Sequence, residues 1–210
     1  TEGFTYEFDA GQTQTFNGDL VAAGTCFNPI NIQSSSATQA IFSKTSGAIT
    51  VTRVNLANMN ATGGAAFTAN ASFDLGNNTG WTINAPDSED LYWVGGTGDW
   101  NDPTHWSYSS GGTPGACIPT IQDNVFFDAN SFSTSGQTVT LIGDYNGDAV
   151  CNDMDWIGVT NNPTLTGASG VNLRIYGSLT FTSGMTAGYA GPTYFHSTGT
   201  ETISSGGNTF

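Results

Sequence analysis

Two short clusters in this 210-residue chain hold residue types that bind or react. The first is Trp93, Trp100 and Trp106, with Asp99, Asn101 and Asp102 among them. Indole faces stack on pyranose rings, and short acids and amides bond sugar hydroxyls. The cluster therefore has the composition of a carbohydrate platform. Large apolar rings so close together also suit a cap that covers strand edges and core at the open end of a β-structure. The cap is the favoured of these two readings.

The second cluster is Asp144-Tyr-Asn146-Gly-Asp148, followed by Asp153 and Asp155. Calcium takes several oxygen ligands, and acids and amides at alternate positions supply them. The glycine falls at the fourth position of the run and no Glu stands at the twelfth, so this is not an EF-hand. Asn-Gly is also a strong turn signal, and a plain β-turn is the favoured reading. Calcium is the single cofactor the sequence raises; none is otherwise expected.

Little else points to catalysis. His105 and His196 are the only histidines, and neither sits in a metal-ligand spacing. No Gly-x-Ser-x-Gly elbow occurs. Asp123 and Asp128 bracket Val-Phe-Phe at an odd separation, which sends them to opposite faces of a regular strand. Arg53 and Arg174 lie far apart in the sequence. A polysaccharide-degrading β-helix needs clustered carboxylates, or a calcium site with a basic catalyst. The expectation is that the chain is not an enzyme, and a β-helix hydrolase or lyase is the weakest functional reading.

The elements that must position these residues read as strands. Apolar residues make up 37% of the chain, which is low, but they include 13 Phe, 7 Tyr and 5 Trp. A disordered chain lacks such rings, so the chain reads as folded around a thin, aromatic core. No stretch keeps a helical period. Ile49 and Val51 alternate, and Val54 and Leu56 resume after a phase slip at Thr52–Arg53. Val171, Leu173 and Ile175 alternate, a corner follows at Tyr176–Gly177, and Leu179 and Phe181 resume. Strand, sharp corner, strand is what one coil of a β-solenoid requires. Ser-Gly pairs at Gly47, Gly170, Gly184 and Gly206 read as such corners, needing positive φ. The expected fold is all-β, a right-handed parallel β-helix or solenoid. A tandem β-sandwich is the alternative, because turn signals recur there as well.

The acidic, Pro-containing stretch 84–90 reads as a linker. Residues 1–86 are expected to end one β-solenoid module, and 87–210 to supply the Trp-rich cap and first coils of the next. The chain thus reads as a segment cut from a longer polypeptide. Seventeen acids face three bases, Lys44, Arg53 and Arg174, for a net charge of −14. Such a surface repels phosphate backbones and anionic lipid, so neither nucleic acid nor membrane insertion is expected. No segment is apolar over the length that crosses a bilayer. Three formal glycosylation sequons, at Asn60, Asn70 and Asn77, read as Asn/Thr-rich turns.

Tyr92-Trp-Val-Gly-Gly-Thr-Gly-Asp-Trp-Asn-Asp-Pro-Thr-His-Trp-Ser107, then Cys117-Ile-Pro-Thr, then Asp123-Asn-Val-Phe-Phe-Asp-Ala-Asn-Ser131, resembles a module repeated in very large Bacteroidetes surface proteins. Those proteins leave the cell by the type IX secretion system, and some are gliding-motility adhesins of the SprB kind. Lys44-Thr-Ser-Gly through Leu75-Gly-Asn-Asn-Thr-Gly-Trp81 resembles the closing end of a preceding module. The resemblance implies an extracellular, cell-surface segment that is structural or adhesive. Its expected partners are neighbouring modules of the same chain and surface glycans. A carbohydrate-binding module using the Trp cluster is the alternative. In the resembling modules Cys117 and Cys151 tend to appear together, which implies a disulfide between them, with Cys26 left to a partner upstream.

Overall fold

The computed structural model describes residues 3–143 and 148–209. The chain divides into two compact units, Thr1–Asp87 and Ser88–Phe210, beside the boundary expected from the acidic linker. Both are all-β with parallel sheets; the described residues hold no α-helix, and one short 3-10 turn spans Pro103–His105.

In the first unit, Thr5–Phe8, Ile30–Ser34, Val54–Ala57 and Phe73–Asp74 form one sheet in that order. Thr13–Thr15, Ala40–Ser43 and Met59–Thr62 form a second; Ala48–Thr52, Ala66–Asn70 and Trp81–Ile83 form a third. In the second unit, Asp90–Trp93, Asn124–Phe126, Met154–Asp155, Leu179–Thr180 and Ile203–Ser204 are parallel, with Trp106–Ser107 antiparallel on the outer side of Asp90–Trp93. Its second sheet is Gly98–Asp99, Thr138–Leu141, Thr164–Gly167 and Thr186–Ala187. Its third is Asp148–Cys151, Asn172–Ile175 and Thr193–Phe195. Between Ile30–Ser34 and Val54–Ala57, and between Met154–Asp155 and Leu179–Thr180, the chain visits both other sheets of the unit, so these neighbours are one circuit apart; between Thr5–Phe8 and Ile30–Ser34, and between Asp90–Trp93 and Asn124–Phe126, the described strands visit only one of them.

This parallel pairing replaces the tandem β-sandwich alternative. Antiparallel sandwiches join neighbours by short hairpins, whereas parallel neighbours need a long crossover. Here the crossover is the rest of the circuit. Asn55 bonds Asn31 across 24 residues, and Arg174 bonds His196 across 22.

Period-2 alternation decides what faces inward. Val54–Ala57 and Ala40–Ser43 alternate buried and half-buried positions, and Thr138–Leu141 does the same in opposite phase. Register then stacks like on like. Leu91, Val125, Met154 and Leu179 pair successively and are all buried. Each such aliphatic side chain, fully buried, contributes roughly 1.5–3 kcal/mol. In the first unit Phe42 is packed edge-on by Phe8 and Phe16, at centroid distances of 4.8 and 4.9 Å.

The corners explain the broken alternation. Arg53 takes φ 52°, and this left-handed residue is the phase slip between Val51 and Val54. Asn58, at φ 57°, turns the chain between Val54–Ala57 and Met59–Thr62. Asn tolerates this region better than most residues. Gly47 and Gly206 take the positive φ expected of them; Gly170 and Gly184 do not. Gly177 is needed for a different reason. A Cβ there would collide with the Asp153 carboxylate, which accepts a bond from Ser178 N at 2.6 Å.

Candidate functional site

The three tryptophans lie inside the fold. Trp93 and Trp106 are 0% exposed and Trp100 is 2% exposed. Trp106 meets Trp93 and Trp100 edge-to-face, at 5.1 and 5.0 Å. Two of the indoles spend their N–H within the cluster: Trp93 Nε1 donates to Gly96 O and Trp106 Nε1 to Trp100 O, each at 2.7 Å. His105 stacks flat on Trp93 at 4.8 Å. No indole face is left for a sugar, which corrects the carbohydrate reading of Trp93, Trp100 and Trp106. They sit where the second unit's sheets begin, under Asp90–Trp93 and the antiparallel Trp106–Ser107, as a cap would.

The polar neighbours are also engaged. Asp102 caps the short 3-10 turn, its Oδ1 accepting from Thr104 N at 2.8 Å and Thr104 Oγ1 at 2.7 Å. The hydroxyl bond, then the amide bond, hold its carboxyl below the usual range. Asp123 is buried, and its two oxygens accept from Glu89 N, Thr120 N and Thr120 Oγ1. That carboxylate is a fastener for the start of the second unit.

Of the calcium candidates, Asp144 and Asn146 lie outside the described residues. Asp148 and Asp155 stand on different sheets. Asp155 Oδ1 accepts from Ile157 N, Asp153 Oδ1 from Ser178 N, and Asp148 is taken up by Arg174 and Asn172. Among the described residues no three His, Cys, Asp or Glu gather as a metal site would require.

The expected Cys117–Cys151 disulfide does not form. Cys26 and Cys117 are both in disulfide linkage, and Cys151 is a free, buried thiol. Strand phase is the reason. Ala149 and Cys151 alternate inward while Asp148 and Val150 point out, so the Cys151 sulfur ends in the core. Cys117 lies in a loop, its sulfur beside the Tyr108 hydroxyl at 3.4 Å. Burial, and then the negative charges of Asp153 and Asp123, push the Cys151 thiol far up.

The residues the fold does bring together are on the outer face of the second unit's third sheet. Register places Asp148 beside Asn172, Val150 beside Arg174, and Arg174 beside Tyr194. Arg174 Nε donates to Asp148 Oδ2 at 2.5 Å, and Asn172 Nδ2 donates to Asp148 Oδ1 at the same distance. Arg174 Nη1 donates to His196 Nε2 at 3.0 Å, which leaves the imidazole proton on Nδ1. The guanidinium lies 4.8 Å over the Tyr194 ring. Tyr176 stacks on His196 at 5.1 Å. Burial works against charge on Asp148, but the bonds from Arg174 and Asn172 and the guanidinium charge outweigh it. Its carboxyl is held below the usual range. The bond that Arg174 donates to Asp148 raises the guanidinium's own pKa in turn.

Sequence reasoning missed this cluster because its members are one circuit apart. Arg174-Ile-Tyr176 and Tyr194-Phe-His196 share a spacing, but only Ile175 is buried and Phe195 is 41% exposed, so no local alternation marks the cluster. Comparison of the chain with family models, with curated proteins and with solved structures finds no match.

Proposed function

We propose that this chain is a non-catalytic structural and adhesive segment of a large bacterial cell-surface protein, its two units built as right-handed β-solenoids. The observation that carries the reading is the side-chain register on the outside of successive circuits. Thr5, Asn31 and Asn55 bond in series, as do Asp90, Asn124 and Asn152. Repetition of that kind suits an extended scaffold whose outer faces do the work, while the interior is filled by side chains.

Other features support the same setting. Disulfide linkage of Cys26 and Cys117 fits an oxidising exterior. No helix among the described residues is long and apolar enough to cross a membrane. The Trp-rich opening resembles modules of type IX-secreted Bacteroidetes proteins, and that resemblance supports a segment outside the cell, between neighbouring modules of its own chain. Asp123, the most buried acid among the described residues, is consumed by backbone and hydroxyl bonds, which suits support and not proton transfer.

The test is labelling of the producing bacterium with antibody raised against the 210-residue chain. Intact cells should be labelled, and the purified chain should release no reducing ends from a polysaccharide panel. Labelling confined to permeabilised cells would overturn the surface reading. Release of reducing ends would overturn the non-catalytic one.

A further inference from the structure

We infer that the outer face of the second unit's second sheet is an ice-binding surface, built from Thr138, Thr140, Thr164 and Thr166. The two inner strands of that sheet, Thr138–Leu141 and Thr164–Gly167, read Thr-Val-Thr-Leu and Thr-Leu-Thr-Gly. Val139 and Leu165 point into the core, at 0% and 1% exposed, so the threonines on either side of each point out. Register sets Thr138 against Thr164 and Thr140 against Thr166. Thr186 continues the first column on the next strand. Thr97 stands at the other end of that column, its Oγ1 accepting from Thr138 N at 3.1 Å. Each of the two inner strands has a hydrogen-bonded neighbour on both sides, so the four threonines lie on the face of the sheet and not at its edge.

Parallel pairing repeats these side chains about 4.8 Å apart across the strands, and alternation repeats them about 6.6 Å apart along each strand. Water oxygens on a prism face of ice repeat along two perpendicular directions at comparable spacings. Threonine suits such a lattice. Its hydroxyl donates once and accepts twice, so it can stand in for a lattice water. Its methyl fills the gap between waters. Branching at Cβ restricts χ1, so the rows keep their order before any ice is met. Among the described residues no hydrogen bond spends any of the four hydroxyls.

Charge selects the occupant. The chain carries −14, yet Thr138–Leu141, Thr164–Gly167 and Thr186–Ala187 hold no ionisable residue. Asp99, paired with Thr140, is the charge at the border of the field. A charge-free field on so acidic a chain complements a neutral lattice and offers no ion pair to a charged partner. The three strands also carry no aromatic ring on which a sugar could stack. The first unit has a narrower version of the same face. Thr50, Thr68 and Thr82 align in one column, but beside it Thr52 meets Asn70, whose amide is bonded by Asn84. The inference names the surface that the adhesive reading leaves open, and rests on that reading for a place outside the cell.

Partition of the fluorescently labelled chain into a slowly grown ice hemisphere tests this, with crystal shape followed in a nanolitre osmometer. Wild type should enter the ice and facet the crystals. Thr164→Tyr puts a ring in the middle of the array and should abolish both effects. Thr164→Ser removes only a methyl and should lose part of the incorporation; it also serves if the tyrosine variant does not fold. Thr68→Tyr, on the narrower face of the first unit, should keep most of it. Exclusion of wild type from ice, incorporation that Thr164→Tyr and Thr164→Ser both leave intact, or equal loss from Thr68→Tyr would each overturn the inference. So would exclusion from ice with retention on crystalline chitin, which would make a polysaccharide crystal the occupant. If wild type is excluded from ice while antibody still labels intact cells, the array is wrong and the surface reading stands. If ice takes up the chain while labelling is confined to permeabilised cells, the surface reading is wrong and the array stands.

Discussion

The side-chain amide of Asn55 donates to that of Asn31 at 2.9 Å, across 24 residues of chain. Asn31 donates onward to Thr5 Oγ1 at 3.2 Å. The second unit repeats the device, Asn152 donating to Asn124 and Asn124 to Asp90, each at 2.9 Å. These ladders run across the strands and tie each circuit to the one before, where backbone bonds alone would leave outward side chains unpaired.

Asn31→Ala removes the middle of one ladder. It should lower the unfolding free energy by about 1–2 kcal/mol, since it costs a hydrogen bond and leaves the half-buried Asn55 amide short of a partner. A double-mutant cycle in urea checks the coupling. Asn55→Ala should cost less in the Asn31→Ala background than alone. Strict additivity would mean the ladder contributes nothing.

Trp106 is the centre of the end cluster, touching Trp93, Trp100 and Phe127. Trp106→Ala should destabilise the second unit by about 3–5 kcal/mol, the range for deleting a buried large aromatic. Guanidinium unfolding followed by tryptophan emission gives the value. The burial of Trp93, Trp100 and Trp106 also predicts weak acrylamide quenching in the native protein, without change on adding oligosaccharide.

Thiol reactivity separates the cysteines. Native protein should not react with a thiol reagent, because Cys151 is buried and its thiol is pushed toward the protonated form. Denatured but unreduced protein should show one thiol, on the Cys151 peptide. After reduction, Cys26 and Cys117 should become reactive too. Mass spectrometry that found Cys117 free would contradict this.

Asp148 gives an acid-dependent term. Its folded pKa lies below the ordinary 3.8. A depressed carboxyl stabilises the fold above its unfolded pKa, and that contribution fades as pH falls below 3.8 and through the folded value. Asp148→Asn should therefore flatten the acid limb of the melting curve measured from about pH 7 down to about pH 2.5. The wild type should lose more than the variant over the same fall, with Asp102 contributing an acid limb of its own to both.

Much of the fold was legible because parallel circuits leave local traces. The alternation of Ile49 with Val51 and of Leu173 with Ile175 marks inward faces, and the slip at Arg53 is a real left-handed corner. The alternation of Ala149 with Cys151 also marked an inward thiol, and reading it would have excluded the Cys117 pairing. Trp93, Trp100 and Trp106 were ambiguous because a sugar platform and a cap need the same rings; only burial separates them. The Arg174 cluster was not legible, since Asp148, Arg174 and His196 meet across 26 and 22 residues. Register between circuits is a tertiary property, and no local pattern states it.

The described strands of each unit pair almost entirely in parallel, with the rest of the turn between neighbours. Nuclear Overhauser contacts within the second unit's third sheet test this most directly. The account predicts parallel-type contacts, Cα–H to amide N–H, linking Asp148–Cys151 to Asn172–Ile175 and Asn172–Ile175 to Thr193–Phe195 in the register Ala149–Leu173 and Arg174–Tyr194. Close Cα–H to Cα–H contacts between these strands, the mark of antiparallel pairing, would contradict it.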